Sequence, residues 1–335
     1  MKIPSFSVIQ LLSYSVIHLV PVSKAAYRNL CQTEESIPVF SRDWWLDVVC
    51  GTNKWDVFLI KEKDKIQAAL PYYLLRPPII SMPPYTQTMG IWFAPHSDDT
   101  KHISVQKHRQ SLCKQIIEHL KPFRSFLQNF HYDFTDWLPF YWQGYSQTTR
   151  YTYLLKDLKN RDLLLENMSQ HTRRNMKKAK EQFQITVKQG IPVDDFLHIL
   201  SQTFERQQKK NKQDINALRR LIEVCRERNQ GELWGGFDSQ GRLHAVVFVV
   251  WQKQSAWYIA GGGDPALRHS GAHSLVLWEA IQHVADFTDI FDFEGSMMPG
   301  VERFFREFGG IQTPYFAIHK GKPNLFDKIM VKLTK

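Results

Sequence analysis

Cysteine is scarce in this chain. Cys31, Cys50, Cys113 and Cys225 are the only 4 in 335 residues, far apart and without a C-x-x-C pair. That excludes a disulfide framework and a zinc–thiolate cluster, and it fits a reducing compartment. The 13 histidines never form H-E-x-x-H, so no metal is expected. Also missing are the G-x-x-x-x-G-K-[ST] phosphate loop, the G-x-G-x-x-G dinucleotide fingerprint and the G-x-S-x-G nucleophile elbow. Long apolar runs are absent too. The stretch Ile3 to Val22 is broken by Gln10, His18 and Pro21, whereas a spanning helix needs roughly 20 mostly apolar residues. Lys2 and Ser23-Lys24-Ala25 match a secretory signal only faintly. We therefore read Val16 to Val20 as an opening strand behind an extension and expect a cytoplasmic protein. Acidic residues are the minority sign: 33 against 43 Lys and Arg leave a net charge of +10. Such an excess predicts an anionic partner, whether nucleic acid, a phosphorylated cofactor or an acidic membrane surface.

Apolar side chains are plentiful, at 43% of the chain with 13% aromatic, enough for a real core. At about 150 residues per core, the length predicts two domains. In the first half, Asp43 to Val49 reads as a short helix capped by Ser41, and Trp55 to Lys61 with Lys65 to Leu75 as a hairpin. Pro77, Pro78, Pro83, Pro84 and Pro95 break the next stretch into short extended pieces. Helical spacing follows over Ile103 to Leu120, with strands at Ser125 to Phe134 and Tyr151 to Leu155. The second half reads as one helix from Arg161 to Gln182, a strand Gln184 to Lys188, and helices near Asp194 to Lys209 and Asn216 to Asn229. A hairpin then spans Leu233 to Gln252, and strand Ala256 to Ile259 leads into the glycines Gly261-Gly262-Gly263. Helix Gly271 to Phe287, strand Ile290 to Phe293, a short helix Val301 to Phe308 and strand Thr313 to His319 complete it. The halves echo one another: Lys65-Ile66-Gln67-Ala68-Ala69-Leu70 matches Arg242-Leu243-His244-Ala245-Val246-Val247, and Phe140 to Thr148 lies on Phe305 to Thr313. Two such matches in one order predict two copies of one α/β unit, each a mixed sheet flanked by helices. The expected boundaries are 1–22 (extension), 23–150 (first unit, without cofactor), 151–322 (second unit, with the site) and 323–335 (tail).

Three constellations carry chemistry. The junction from Gly261 through Arg268 to Ser274 points backbone N–H groups and a helix dipole at an anion, with Arg268 able to pair with a phosphate. An ordinary helix start capped by Ser270 explains it equally well. In Phe291-Asp292-Phe293-Glu294-Gly295-Ser296, alternation sets Asp292 and Glu294 on one face. Glu294, nearer the strand end, is the better proton acceptor for an attacking amine, and Tyr258 is a third catalytic candidate. Arg303 and Arg306 stand where they pair with those carboxylates or bind substrate. Two basic clusters remain: Arg173, Arg174, Lys177, Lys178 and Lys180 on a helix, and Arg206, Lys209, Lys210 and Lys212 after the next. They are solvated faces, or docking points for a nucleotide diphosphate, tRNA or anionic lipid.

The order strand, glycine-rich turn, Arg-x-x-Gly, helix, strand, short helix, strand resembles the acyl-CoA-binding half of the GNAT N-acetyltransferases. The segments RRNMKKAKE (Arg173 to Glu181), LVLWEAI (Leu275 to Ile281), FDFEGS (Phe291 to Ser296) and GVERFFREFGG (Gly300 to Gly310) resemble the Fem-type and acetyltransferase-6 branch more closely. That branch joins two GNAT units in one chain. The resemblance spans roughly Pro38 to Lys320 and implies an N-acyltransferase with acyl-CoA as co-substrate. It implies a donor held by Arg268, His269, Ser270, Gly271, Ala272, His273 and Ser274, and direct attack by an amine with Glu294 or Asp292 as base. Arg173, Arg174, Arg303 and Arg306 are the implied substrate contacts. The acceptor would be a small molecule or a lipid-linked envelope precursor, with peripheral contact to a membrane surface. Two alternatives follow from the same likeness: a Fem-type aminoacyltransferase using aminoacyl-tRNA, and a degenerate pair acting as a binding module. Two positions depart from the family pattern. His273 stands where [QR]-x-x-G-x-[GA] ends in a small residue, and Phe305 stands where F-K-x-x-F-G has its lysine.

Overall fold

The computed structural model describes residues 20–206 and 214–321. Its element order is α1 (Val20–Thr33), α2 (Asp43–Cys50), β1 (Trp55–Glu62), β2 (Lys65–Arg76), β3 (Ile79–Ser81), β4 (Trp92–Phe93), α3 (His102–Leu120), β5 (Phe126–Asn129), α4 (Leu138–Trp142) and β6 (Ser146–Lys156). The second half continues with α5 (Arg161–Asn167), α6 (Gln170–Glu181), β7 (Thr186–Gln189), α7 (Val193–Arg206), α8 (Ile215–Glu227), β8 (Gly231–Phe237), β9 (Leu243–Trp251) and β10 (Ala256–Gly263). A 3₁₀ turn (Arg268–Ser270), α9 (Ala272–Val284), β11 (Ile290–Asp292), α10 (Pro299–Arg306) and β12 (Ile311–Lys320) close it.

Strand β9 shows how the layers arise. Its side chains alternate, so Ala245, Val247, Val249 and Trp251 join the core under α9, while Val246, Phe248 and Val250 join the core under α7 and α8. Burying each of these larger side chains contributes roughly 1.5–3 kcal/mol. The first half repeats the arrangement around β1 and β2, with α3 on one face and α1 on the other. Phe40 and Trp45 of the first half sit in the α7–α8 core, with Phe40 edge-on to Trp257 at 5.6 Å, so the two halves share a core.

Sheet connectivity joins the units further. Strands β1, β2 and β3 pair antiparallel, with β4 also on β2, and parallel bridges Ile79–Ser125 and Met89–Phe130 carry this sheet to β5. The larger sheet runs β5-β12-β6-β11-β10-β9-β8-β7, antiparallel except for β10 with β11. Strand β5 therefore pairs with the last strand of the second half, β11 with the last strand of the first, and the two exchanged strands pair with each other. The duplicated segment fits this. In each copy a short helix carrying a buried Phe (Phe140, Phe305) ends at a glycine with positive φ (Gly144, Gly309), and an exchanged strand follows. The expected boundary at 150 falls inside β6.

Several expectations change. Residues 16–19 of the expected opening strand, the 323–335 tail, and Lys209, Lys210 and Lys212 lie outside the described residues, while Val20 begins a helix. Arg42, not Ser41, occupies the cap of α2, because Ser41 closes a preceding 3₁₀ turn (Val39–Ser41) and Leu46 N donates to the Arg42 carbonyl at 3.1 Å. The single helix over 161–182 is two, broken at Met168. Ser169 caps the second by accepting from Thr172 N at 3.1 Å. The three glycines are strand, not turn. Among the described residues no helix is long and apolar enough to cross a membrane, and no cluster of metal-ligating side chains occurs.

Candidate active site

Strands β10 and β11 pair at only two positions, Ala256 with Phe291 and Trp257 with Asp292. Beyond them β10 is bulged between Tyr258 and Ala260 and stays on β9 as far as Gly263, while β11 stops. The edge of β10 that faced β11 is left without a ladder partner, and a cavity of about 690 Å³ opens there. Gly261 and Gly262 make room for side chains crossing the strand. A Cβ on Gly261 would lie 2.4 Å from the Tyr258 hydroxyl, and one on Gly262 2.3 Å from Thr203 Oγ1. Thr203 Oγ1 accepts from Gly263 N at 3.2 Å, so α7 closes this end.

The wall beside it is the start of α9. Gly271 occupies its cap with φ 76°, and a Cβ there would meet Asn175 O at 2.6 Å, so α6 lies in backbone contact with the turn. Ser270 Oγ accepts from Ala272 N at 3.3 Å, but the cap of α9 is Gly271, without a side-chain hydrogen bond, and Ser270 closes the preceding 3₁₀ turn beside the cavity. Arg268 lines the cavity, is exposed, and has no ion pair among the described residues. Beneath the turn lies a relay the sequence reading missed. Buried His244 sits with Nδ1 3.0 Å from Ser270 Oγ and Nε2 3.1 Å from Asp238 Oδ2, and Arg242 pairs with the same carboxylate at 2.7 Å. Desolvation opposes ionisation of Asp238, but the Arg242 backbone and the His244 and Arg242 side chains outweigh it and hold its pKa well below the usual range. A lone histidine inside the apolar run of β9 was the available signal.

Glu294 stands just past the end of β11 with φ 59°, a conformation few non-glycine residues adopt. The Asp292 carboxylate accepts from Glu294 N at 2.7 Å and from the Thr152 hydroxyl, and Gln87 Nε2 donates to the Glu294 carbonyl. Gly295 lets the chain pass β6, since a Cβ there would lie 2.0 Å from Tyr151 O. Glu294 lines the cavity, and its Oε1 is buried without a partner among the described residues. Leaving such an atom unsatisfied costs about 1–3 kcal/mol. Burial first, and Asp292 second, raise the pKa of this carboxyl well above its ordinary value. Burial also pushes Asp292 up to about 6, against its hydrogen bonds from Thr152 and Glu294 N. The Tyr258 hydroxyl, 3.3 Å from His273 Nε2, is pushed well above its usual pKa by burial and then by Glu294.

The structure brings Glu294, Tyr258, Arg268, Ser270, Gly271, Ala272, His273 and Ser274 to one cavity. It does not bring the others. Asp292 is buried against Thr152 and holds the Glu294 backbone. His269 turns its ring onto Phe183 at 5.1 Å, while its carbonyl accepts Lys178 Nζ at 2.6 Å. Arg173 and Arg174 are exposed, and His171, Thr172 and Asn175 present α6 to the cavity instead. Arg303 pairs with Glu307 at 2.7 Å and Arg306 with Glu302 at 2.9 Å, so neither reaches Asp292 or Glu294. Helix spacing makes i,i+4 partners closer than a strand end. Phe305 is buried against Tyr258 and Phe293, and His273 is stacked on Phe304 at 5.0 Å. Gln87 and Asn129 of the first half, with Arg150 and Tyr315 of the exchanged strands, also line the cavity. Long-range strand exchange left no local signal for them.

Residues 166–306, less than half of the chain, match the family described as Acetyltransferase (GNAT) domain. The whole fold is similar to that of FemX, at 12% identity and a TM-score of 0.66, covering 92% of this chain and 98% of FemX. It is also similar to a conserved protein of unknown function from Bacteroides thetaiotaomicron (11% identity, TM-score 0.55, 89% and 97% of the two chains). A third similar structure is L-PGS from Bacillus licheniformis (10% identity, TM-score 0.53, 93% and 95%). No curated protein sequence matches.

Proposed function

We propose that this chain, a Fem-type double-GNAT fold whose second half carries a GNAT acetyltransferase domain, is an N-acyltransferase. It would move an acyl group from acyl-CoA to the amine of a small-molecule or lipid-linked envelope acceptor. One observation carries the reading: a free strand edge, a helix N-terminus, an arginine without an ion pair among the described residues, and an unpartnered carboxyl oxygen border the same cavity. The thioester supplies an acyl group already activated towards amines. Arg268 and the N–H groups opening α9 hold the donor's phosphates, with Ser270 kept in place by His244. The parted edge of β10 offers N–H groups to the donor's amides and to the carbonyl that gains negative charge. Glu294, as carboxylate, takes the proton of the amine as the C–N bond forms and the C–S bond breaks. Tyr258, kept protonated by its raised pKa, donates to the departing sulfur. The two departures from the family pattern fit this assignment: His273 is held against Phe304 and Tyr258, and Phe305 completes the floor under Tyr258.

A thermal-shift assay with acetyl-CoA, longer acyl-CoAs and free CoA tests the donor site. A ligand at 100 times its Kd adds about 2.7 kcal/mol of stability. Arg268→Ala should weaken binding about 10-fold or more, because charged hydrogen bonds contribute about 1.5–3 kcal/mol, and should leave the melting of the free protein unchanged. No stabilisation by any of the ligands overturns the reading. Binding without turnover on any amine would favour a binding module. An aminoacyl-tRNA donor is the second reading, favoured by exposed Arg173, Arg174, Lys177 and Lys180 on the helix beside the donor turn. Its mark is binding of charged tRNA that weakens steeply with salt.

A further inference from the structure

The acceptor end of the cavity is built from parts of the chain far from the donor turn. Gln87, in the loop before β4, is 9% exposed, and its amide nitrogen donates to the Glu294 carbonyl. That bond fixes which way the amide faces, and its Oε1 is left buried with no partner among the described residues, like Glu294 Oε1. Asn129 Nδ2 donates to the Gln87 carbonyl at 2.9 Å, which holds this loop to β5. Two neighbouring cavity-lining residues therefore each carry an acceptor oxygen that no described residue satisfies. An ammonium group has donors for both, whereas a hydroxyl has one. Arg150, on exchanged strand β6, is half-buried in the same cavity wall. Its Nε donates to the Tyr315 hydroxyl at 3.2 Å, and it forms no ion pair with Glu294, Asp292 or any other described carboxylate. The two terminal nitrogens of its guanidinium fork suit a carboxylate or phosphate.

We infer that the acceptor is a primary amine that also carries an anionic group, its ammonium held by Gln87 and Glu294 and its anion by Arg150. The inference rests on the N-acyltransferase reading above and deepens it. Gln87 and Arg150 set which amine is accepted, and neither comes from the part of the chain that holds the donor.

Isothermal titration with no acyl donor present tests this on the full chain. One pair of probes is 6-aminohexanoate against hexylamine, and the other is glucosamine 6-phosphate against glucosamine, so the carboxylate and phosphate sources are read separately. In at least one pair the anionic amine should bind 10-fold or more tightly than its neutral partner. Arg150→Gln should remove that advantage, Arg150→Lys should restore part of it, and Gln87→Leu should weaken both members alike. Equal binding within both pairs, no measurable binding of either anionic amine, or an advantage that survives Arg150→Gln each overturns the inference. Stabilisation by CoA is measured on the same samples. If CoA stabilises and the amines do not discriminate, the acceptor inference fails alone. If CoA does not stabilise, the donor reading fails, while the amine comparison still decides the charge preference.

Discussion

Glu294 is the base of the proposed reaction, and its environment makes a definite pH prediction. Burial and Asp292 favour the protonated carboxyl, yet accepting a proton requires the carboxylate. Turnover should therefore rise with pH along a limb lying well above the ordinary carboxylate value of 4.5. Glu294→Gln should remove that limb and cost about 10²–10⁴-fold in kcat. Stability runs the other way. A group whose pKa is raised on folding contributes stability below its unfolded pKa and loses it as pH rises through the folded one. Glu294→Gln should thus melt above the wild type at pH 8 and level with it at pH 4. Thermal scans giving the reverse order would mean that Glu294 is ionised in the free protein. Sequence alternation put Asp292 and Glu294 on one face of one strand, but β11 ends at Asp292, which is buried away from the cavity, and Glu294 lies beyond the strand with φ 59°. The alternation did not reveal that Thr152, on an exchanged strand, would occupy Asp292 and leave Glu294 to the cavity.

At the scale of elements, the break between α5 and α6 matters most for the site. Leu164, Met168, Met176 and Ala179 are all buried, so their spacing reads as one continuous helix. Ser169 interrupts it by accepting from Thr172 N, while its own N–H donates to Glu307 O at 2.8 Å. That second bond is tertiary, which is why local spacing missed it. The redirected α6 brings Asn175 against Gly271. Ser169→Ala should destabilise the chain by about 1 kcal/mol, read as a lower urea midpoint with an unchanged slope. Under the proposed function it should also weaken CoA binding, because the same helix packs on the turn at Gly271. The glycines of β10 teach a related lesson: a run of three suggests a turn, yet packing of Tyr258 and Thr203 over a strand demands the same residues.

At the scale of the whole molecule, the exchanged strands make two units into one cooperative body. Strand β12 lies between β5 and β6, so either half alone exposes unpaired edges that favour aggregation. Urea unfolding followed by tryptophan fluorescence and by circular dichroism should give one coincident transition. Two separated transitions would mean that the cores unfold independently. A chain ending at Gly310 should lose most of its secondary structure and not merely the C-terminal edge.

The sequence by itself determined the α/β class, the duplication, the hairpins and most elements of the second half, because side-chain periodicity and turn chemistry act over a few residues. It also pointed to the turn from Arg268 to Ser274 and to Glu294, whose spacings are local and which border one cavity. Only the tertiary structure decided that β6 and β12 trade places, that His244 supports Ser270, and that Gln87 and Arg150 line one cavity with Glu294. The strand exchange and the Gln87–Glu294 contact join residues more than a hundred positions apart, and even the His244–Ser270 contact spans 26. Such strand pairing is set by which edges remain open once the local elements have formed.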